Sequence, residues 1–300
     1  MITTTPGTSP PSRGRAERIR TVSDRAFWAT HAVLVLATGA VLYPVLWVVK
    51  MALSPSQGFA GGASPIPTTV TLENFVAVAS TTSADGHWLF VRQLCNSLAV
   101  ASATAVVGVT VAATAAWSLS RWRFYGREGM ISGFLLTQMF PSVLMSIPLY
   151  LLLDALHLLD SLTGLVLVYA TTSVPFSIWN LKGYFDTIPV ELEEAATLDG
   201  ASRWTTFTKI ILPLARPALV VTGLFSFMTA WNEFILAATL IGDEKAYTLP
   251  VVLNGYVGEF GAEWGKFSAG AILVSIPVIG LFFFLQKQLV EGLTSGGVKG

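Results

Sequence analysis

Charged side chains are scarce in this sequence: its 300 residues include 18 Lys and Arg against 18 Asp and Glu, 12% in all, while 53% are hydrophobic. With a mean hydropathy of +0.63, such a composition belongs to a polytopic membrane protein and not to a soluble globule. The net charge of zero offers nothing to attract nucleic acid. The single Cys95 excludes a disulfide within the chain and any thiolate metal cluster, and reads as a small buried hydrophobe near a span end. Three histidines, His31, His87 and His157, lie scattered without metal-ligand spacing. There is no Gly-x-x-x-x-Gly-Lys-Ser/Thr phosphate loop, no Gly-x-Ser-x-Gly elbow and no close carboxylate pair within a span, so no enzyme activity is expected of this chain. Nor does an internal repeat stand out, which argues against an inverted-repeat secondary transporter.

What the sequence has instead is six apolar runs, each long enough for a hydrocarbon core that needs about 20 residues. They are 27–51, 95–119, 130–153, 162–181, 218–241 and 267–285. Residues 1–26, rich in Thr, Ser, Pro and Arg, read as a disordered tail. With the N-terminus placed in the cytoplasm, fourteen Lys and Arg collect inside and four outside, namely Lys50, Arg92, Lys245 and Lys266. The positive-inside rule therefore puts both termini in the cytoplasm, along with the loop around Glu194. Trp28, Trp88 and Trp122 read as interfacial anchors.

Two outer loops follow from this topology. Residues 52–93 begin with Gly58, Gly61, Gly62, Pro65 and Pro67, which deny regular structure, and then reach a short helix start at Thr71–Phe75. The 242–266 loop carries Tyr247, Tyr256, Phe260 and Trp264. The first reads as a docking surface and the second as an addition to it or a cap on the cavity, with a solvated connector the alternative for either.

The inner loop after the fourth run is the most specific stretch. Pro189 is expected to open a short helix whose Glu191, Glu193 and Glu194 suit the positive end of the helix dipole, and Gly200 to end it. Ser202 is a good N-cap for a second helix, through Trp204, Phe207, Ile210 and Ile211, that must stop or kink at Pro213. The fixed positions Glu194, Ala195, Ala196, Gly200, Ile210, Leu212 and Pro213 resemble the signature loop of the membrane subunits of binding-protein-dependent ABC importers. Gln138–Pro141, Lys182–Phe185 and the tail Gly292–Gly300, read as flexible, are similar to sugar-importer permeases, most closely the smaller permease subunit of maltose/maltodextrin systems. The resemblance covers residue 27 to the end. It implies an all-α integral membrane protein of six spans whose inner loop is a coupling helix docked on a cytoplasmic ATPase. Small residues at Ala195, Ala196 and Gly200 would let that helix press into a cleft. The implied partners are a second permease subunit, two ATP-binding subunits that hold ATP and Mg, and an extracytoplasmic solute-binding protein, all at the cell membrane; this chain would bind no cofactor or metal itself.

Glu233, beside Asn232, is the one carboxylate well inside a run. An ionisable group there marks either a substrate pathway, with Asn232 facing sugar hydroxyls, or a structural pairing; a proton-coupled transporter using Glu233 is the rival reading. Trp179, Tyr169 and Phe176 have the chemistry to stack on sugar rings or to pack between helices. Pro44 and Pro277 read as packing adjustments, and Pro141, Pro148 and Pro175 as either packing or a gate.

Overall fold

The computed structural model describes residues 24–59, 64–258 and 261–297. The residues before 24, which hold most of the expected disordered tail, lie outside them. The chain divides into two compact units, Met1–Leu46 and Trp47–Gly300. In the first, the described residues belong to α1 (Asp24–Ala52), which carries Pro44 and whose part Phe27–Ala52 is long and apolar enough to cross a membrane.

The second unit is a helical bundle. Its elements are α2 (Glu73–Ala79), α3 (Leu89–Arg121), α4 (Arg127–Thr137), α5 (Ser142–Ala155), α6 (Leu162–Phe185), α7 (Glu191–Leu198), α8 (Arg203–Thr206), α9 (Leu212–Leu214), α10 (Arg216–Trp231), α11 (Ile235–Leu240), α12 (Leu249–Gly255) and α13 (Trp264–Gly297). Strand is confined, among the described residues, to a two-residue hairpin, β1 (Val257–Gly258) with β2 (Gly261–Ala262). Among the described residues four helices are long and apolar enough to cross a membrane, and the number rises to six if the bent pairs Arg127–Thr137 with Ser142–Ala155 and Arg203–Leu214 with Arg216–Trp231 are each one span. The all-α, six-span expectation fits this architecture.

α3 is the central element, packed along α6 and α10. Midway, the three helices meet through small polar side chains: Ser177 and Ser226 hydroxyls lie 3.2 Å apart, and Asn180 donates to Thr222 Oγ1 at 2.8 Å. A Cβ at Gly108 would stand 3.2 Å from Ser173 Oγ, so glycine sets how closely α3 approaches. Apolar cores lie on either side of this seam. One gathers Val100, Leu165, Tyr169, Phe227, Trp231 and Leu249; the other gathers Ala116, Leu119, Leu181, Phe185, Phe207 and Ile211.

Two of the expected spans are not continuous. The 130–153 run is α4 and α5, bent by 101° around Gln138–Pro141. Pro141 offers no N–H and disfavours helix at the residue before it, so α4 ends and α5 starts anew with Pro141 as its N-cap. The 218–241 run is likewise α10 and α11, separated at Asn232–Phe234. Here side chains make the break. Asn232 Nδ2 returns to the Met228 carbonyl at 2.9 Å, and the Glu233 carboxylate accepts the Leu236 N–H at 2.7 Å. Asn232 thus serves the end of α10, and Glu233, one residue before the Phe234 N-cap, takes an N–H of the first turn of α11, so both sit at a helix junction within the 218–241 run.

Smaller corrections have similar local causes. The 242–266 loop is ordered as a 3₁₀ turn, α12 and the hairpin, not a plain connector. Gly292–Gly297, expected as flexible tail, continues α13. Cys95 is exposed, because it lies on the side of α3 opposite the buried Gln93, Asn96, Ser97 and Val100. Tyr169 is 1% exposed and belongs to the packing, whereas Trp179 is exposed.

Candidate functional site: the loop at the Arg121 end

α7 begins at Glu191, two residues after the expected Pro189 start, with Val190 as N-cap. Its end is a Schellman motif. The Gly200 N–H reaches the Thr197 carbonyl at 3.0 Å, and the Ala201 N–H reaches Ala196 at 2.9 Å. This closure needs a left-handed residue, and Gly200 has φ +83° with no atom within 4 Å of where a Cβ would stand. Within this chain, then, Gly200 is required by its backbone and not by crowding. Ser202 caps α8 as expected, its hydroxyl accepting the Thr205 N–H at 3.2 Å.

From Phe207 to Ile211 the helix widens into a π turn, with the Leu212 N–H bonded to the Phe207 carbonyl. Pro213 lacks an N–H and would press on the carbonyl four residues back, and the wider turn gives it room. The expected break at Pro213 therefore moves to Ala215, where the chain turns by 80° into α10. Of the signature residues in this arm, Ile210 and Leu212 are half-buried and Pro213 is exposed; the fully buried anchor is Ile211.

The loop is fastened to the bundle by residues that the signature does not contain. Arg121, the last residue of α3, donates from Nε to Glu193 Oε1 at 2.5 Å. Its terminal nitrogens reach the carbonyls of Phe185 and Ile188 at 3.0 Å each, and Ser120 Oγ at 3.0 Å. Trp117 Nε1 donates to the other Glu193 oxygen at 3.3 Å. Only 8% of the Arg121 side chain and 15% of Glu193 are exposed, so this ion pair is largely buried. Beside it Trp117 stacks on Phe207 with centroids 4.6 Å apart, and Arg203 lies over the Trp122 ring. Asp186 completes the fastening, accepting from Lys182 at 2.6 Å and Ser120 at 2.7 Å. Burial pushes its carboxyl upward, but the Lys182 and Ser120 hydrogen bonds and the Lys182 and Arg127 charges outweigh that, and it lies below the usual carboxylate range.

The other side of the loop is open. Glu194 and Ala195 are exposed, Ala196 is 7% exposed, and large apolar side chains face outward at Leu198 (90%) and Trp204 (64%). A cleft of about 470 Å³ lies between the two short helices, lined by Trp117, Trp122, Glu193, Thr197, Leu198 and Arg203. The structure thus brings Glu194, Ala195, Ala196 and Gly200 together on α7 and its cap, with Ile210, Leu212 and Pro213 on the following arm. Asn232 and Glu233 lie apart from them, at the α10–α11 junction.

The opposite end of α3 fixes the other loop. Gln93 donates to the Glu244 carbonyl at 3.1 Å; Asn96 donates to those of Lys245 and Tyr247 at 2.9 and 3.1 Å; Ser97 Oγ accepts the Leu249 N–H at 2.7 Å. Asp160 accepts the N–H groups of Gly242 and Asp243. Sequence reasoning missed both sets of anchors. A polar triplet at i, i+3 and i+4 in an apolar helix was the available signal for Gln93, Asn96 and Ser97, whereas Arg121 entered only the charge count. Among the described residues, no group of three or more His, Cys, Asp or Glu is placed to hold a metal ion.

Residues 97–294 match the family described as "Binding-protein-dependent transport system inner membrane component". The diacetylchitobiose uptake system permease protein DasC of Streptomyces coelicolor is 38% identical over 275 residues, 91% of this chain and 97% of that protein. The maltose/maltodextrin transport system permease protein MalG of Escherichia coli (strain K12) is 36% identical over 289 residues, 90% of this chain and 95% of that protein. Among solved structures, a chain of a bacterial ABC transporter involved in import of the acidic polysaccharide alginate superposes with a TM-score of 0.73 at 25% identity, covering 93% of this chain and all of that one.

Proposed function

The chain belongs to the family of binding-protein-dependent transport system inner membrane components, and from that premise we propose that it is the membrane-spanning permease subunit of an ATP-driven importer that carries a carbohydrate into the cytoplasm. The observation that carries this reading is the two-sidedness of the α7–α8 loop. One side is fixed to the bundle by a largely buried ion pair and aromatic stacking; the other presents Leu198 and Trp204, exposed apolar groups on two short helices beyond the four long apolar ones, as a protein-binding surface would. The occupant of that surface is a cytoplasmic ATPase subunit. It brings ATP and Mg, and this chain contributes Glu194, Ala195, Ala196, Gly200, Ile210, Leu212 and Pro213 to the coupling loop.

The remaining partners are a second permease, most simply a different chain, a second ATPase subunit and an extracytoplasmic solute-binding protein that docks at the outer loops. Both termini lie in the cytoplasm, as the charge distribution requires. The relatives named for diacetylchitobiose and maltose/maltodextrin support a sugar cargo, and a maltose-type oligosaccharide is the specific substrate proposed. Asn232 and Glu233 interrupt the fifth span in the manner of broken helices that line a transport path, so the junction they make is assigned to the pathway wall.

The test is purification of the tagged chain in mild detergent, identification of what accompanies it, and uptake assays in vesicles with candidate sugars and binding proteins. The expected result is an ATPase and a second permease in the eluate, with sugar uptake that requires ATP. A chain that comes out alone and drives uptake from a proton gradient would replace this reading with a proton-coupled one centred on Glu233.

A further inference from the structure

One side chain joins three elements at the Arg121 end of the bundle. Arg121 ends α3; its terminal nitrogens occupy the carbonyls of Phe185, the last residue of α6, and of Ile188 beyond it; its Nε holds Glu193 on α7. The last carbonyls of a helix have no partner within it, and the helix dipole makes that end negative, so a guanidinium is the group suited to close α6 while keeping a donor for a carboxylate. Glu193 is equally committed, one oxygen to Arg121 and the other to Trp117, again on α3. Neither partner is free to slide: the pair is buried, and an unpaired charge there would be costly. We propose that Arg121 is the joint that makes α7 one rigid body with the ends of α3 and α6, so that displacement of α7 is passed to the two helices at the centre of the bundle. This rests on the importer reading, in which α7 is the part the ATPase moves. Arg121 and Glu193 are positioning residues, since they act through the loop: Arg121 lies beneath it, and Glu193, at the edge of the cleft, has both carboxylate oxygens turned to α3.

Lysine cannot do this work. A single ammonium nitrogen cannot hold Glu193 from the position of Nε and reach the two carbonyls from the positions of the terminal nitrogens. Arg121→Lys is therefore expected to behave like Arg121→Gln. Exposed Arg123, two residues on, supplies the control as Arg123→Gln.

The experiment uses the assembled transporter in lipid nanodiscs, with nitroxides at exposed Thr114 on α3 and Glu191 on α7, and reads their separation by pulsed electron resonance with and without ATP. One narrow distance common to both states is expected in the otherwise unchanged protein. In Glu193→Gln and Arg121→Lys the distribution should broaden and sugar uptake fall more than tenfold, while the ATPase still co-purifies and hydrolyses ATP; Arg123→Gln should retain uptake. A separation that shifts by several ångströms with ATP in the unchanged protein would overturn the rigid joint without need of any variant. So would full uptake by Arg121→Lys. Failure of the importer reading looks different: no ATPase accompanies even the unchanged protein and uptake ignores ATP, which removes the joint together with its premise.

Discussion

The two ends of α3 hold loops by opposite means. At the Leu89 end, Gln93, Asn96 and Ser97 form neutral hydrogen bonds to backbone between Glu244 and Leu249, spread over several points. At the Arg121 end one buried ion pair does most of the fastening, helped by Trp117 and Phe207. The first end also has an ion pair, Lys245 with Asp85, but it is solvent-exposed, with 58% of the Asp85 side chain accessible. Distributed neutral bonds fail one at a time, whereas a single buried charge pair fails as a unit. A loop that has to transmit force without deforming suits the second arrangement, and a docking surface that has to keep its shape suits the first.

The contrast can be broken most severely at Arg121. Arg121→Ala leaves the Glu193 carboxylate, 15% exposed, without its cation, and truncating one partner of a fully buried pair costs about 3–5 kcal/mol, which sets the upper bound here. The expected outcome is a large drop in the thermal stability of the purified complex and loss of uptake, read by melting and transport assays. Gly200→Val comes next. A β-branched residue at φ +83° carries a left-handed penalty of about 1–2 kcal/mol, so the end of α7 should fray; faster amide exchange across Ala196–Ala201 and reduced uptake would show it. Gly200→Asn should be milder, since asparagine tolerates that conformation.

Asn96→Leu sharpens the comparison from the other end. It strips bonds from the Lys245 and Tyr247 carbonyls, and a lost buried partner costs about 1–3 kcal/mol. Because Gln93 and Ser97 remain, exchange should quicken only around residues 245–249, with α7 unchanged. Asp186→Asn should cost less, within the ~0–1 kcal/mol of a partly exposed pair, since 42% of Asp186 is accessible. Its carboxyl lies below the usual range in the folded chain, so its contribution is complete above about pH 4 and is lost as pH falls through the depressed value. The gap in melting temperature between Asp186→Asn and the parent should therefore shrink on acidification. The smallest effect belongs to Asp85→Asn. That pair holds the Asp85 carboxyl low and the Lys245 ammonium high, yet in open solvent at physiological salt its removal should leave melting unchanged.

The broad architecture was legible because long apolar runs and the scarcity of charge are strong signals that depend on no tertiary context. The loop was legible at its caps, where Ser202 and Gly200 act through their own backbone. Its breaks were less so. Pro141 interrupts the third run as a proline should, but Pro213 is absorbed by a π turn and the bend moves to Ala215. Asn232 and Glu233 end one helix and start another through side-chain bonds that hydropathy does not register. The Arg121–Glu193 pair spans 72 positions of sequence, and only the packing of α3 against α6 brings it together.

The central claim is that the open face of the α7–α8 loop meets an ATPase. A photoreactive amino acid in place of Leu198, 90% exposed, irradiated in membranes of the parent cell, tests it most directly. The account predicts an adduct with a cytoplasmic ATP-binding subunit whose yield changes with ATP. An adduct only with extracytoplasmic proteins, or none in a preparation that contains the ATPase, would contradict it.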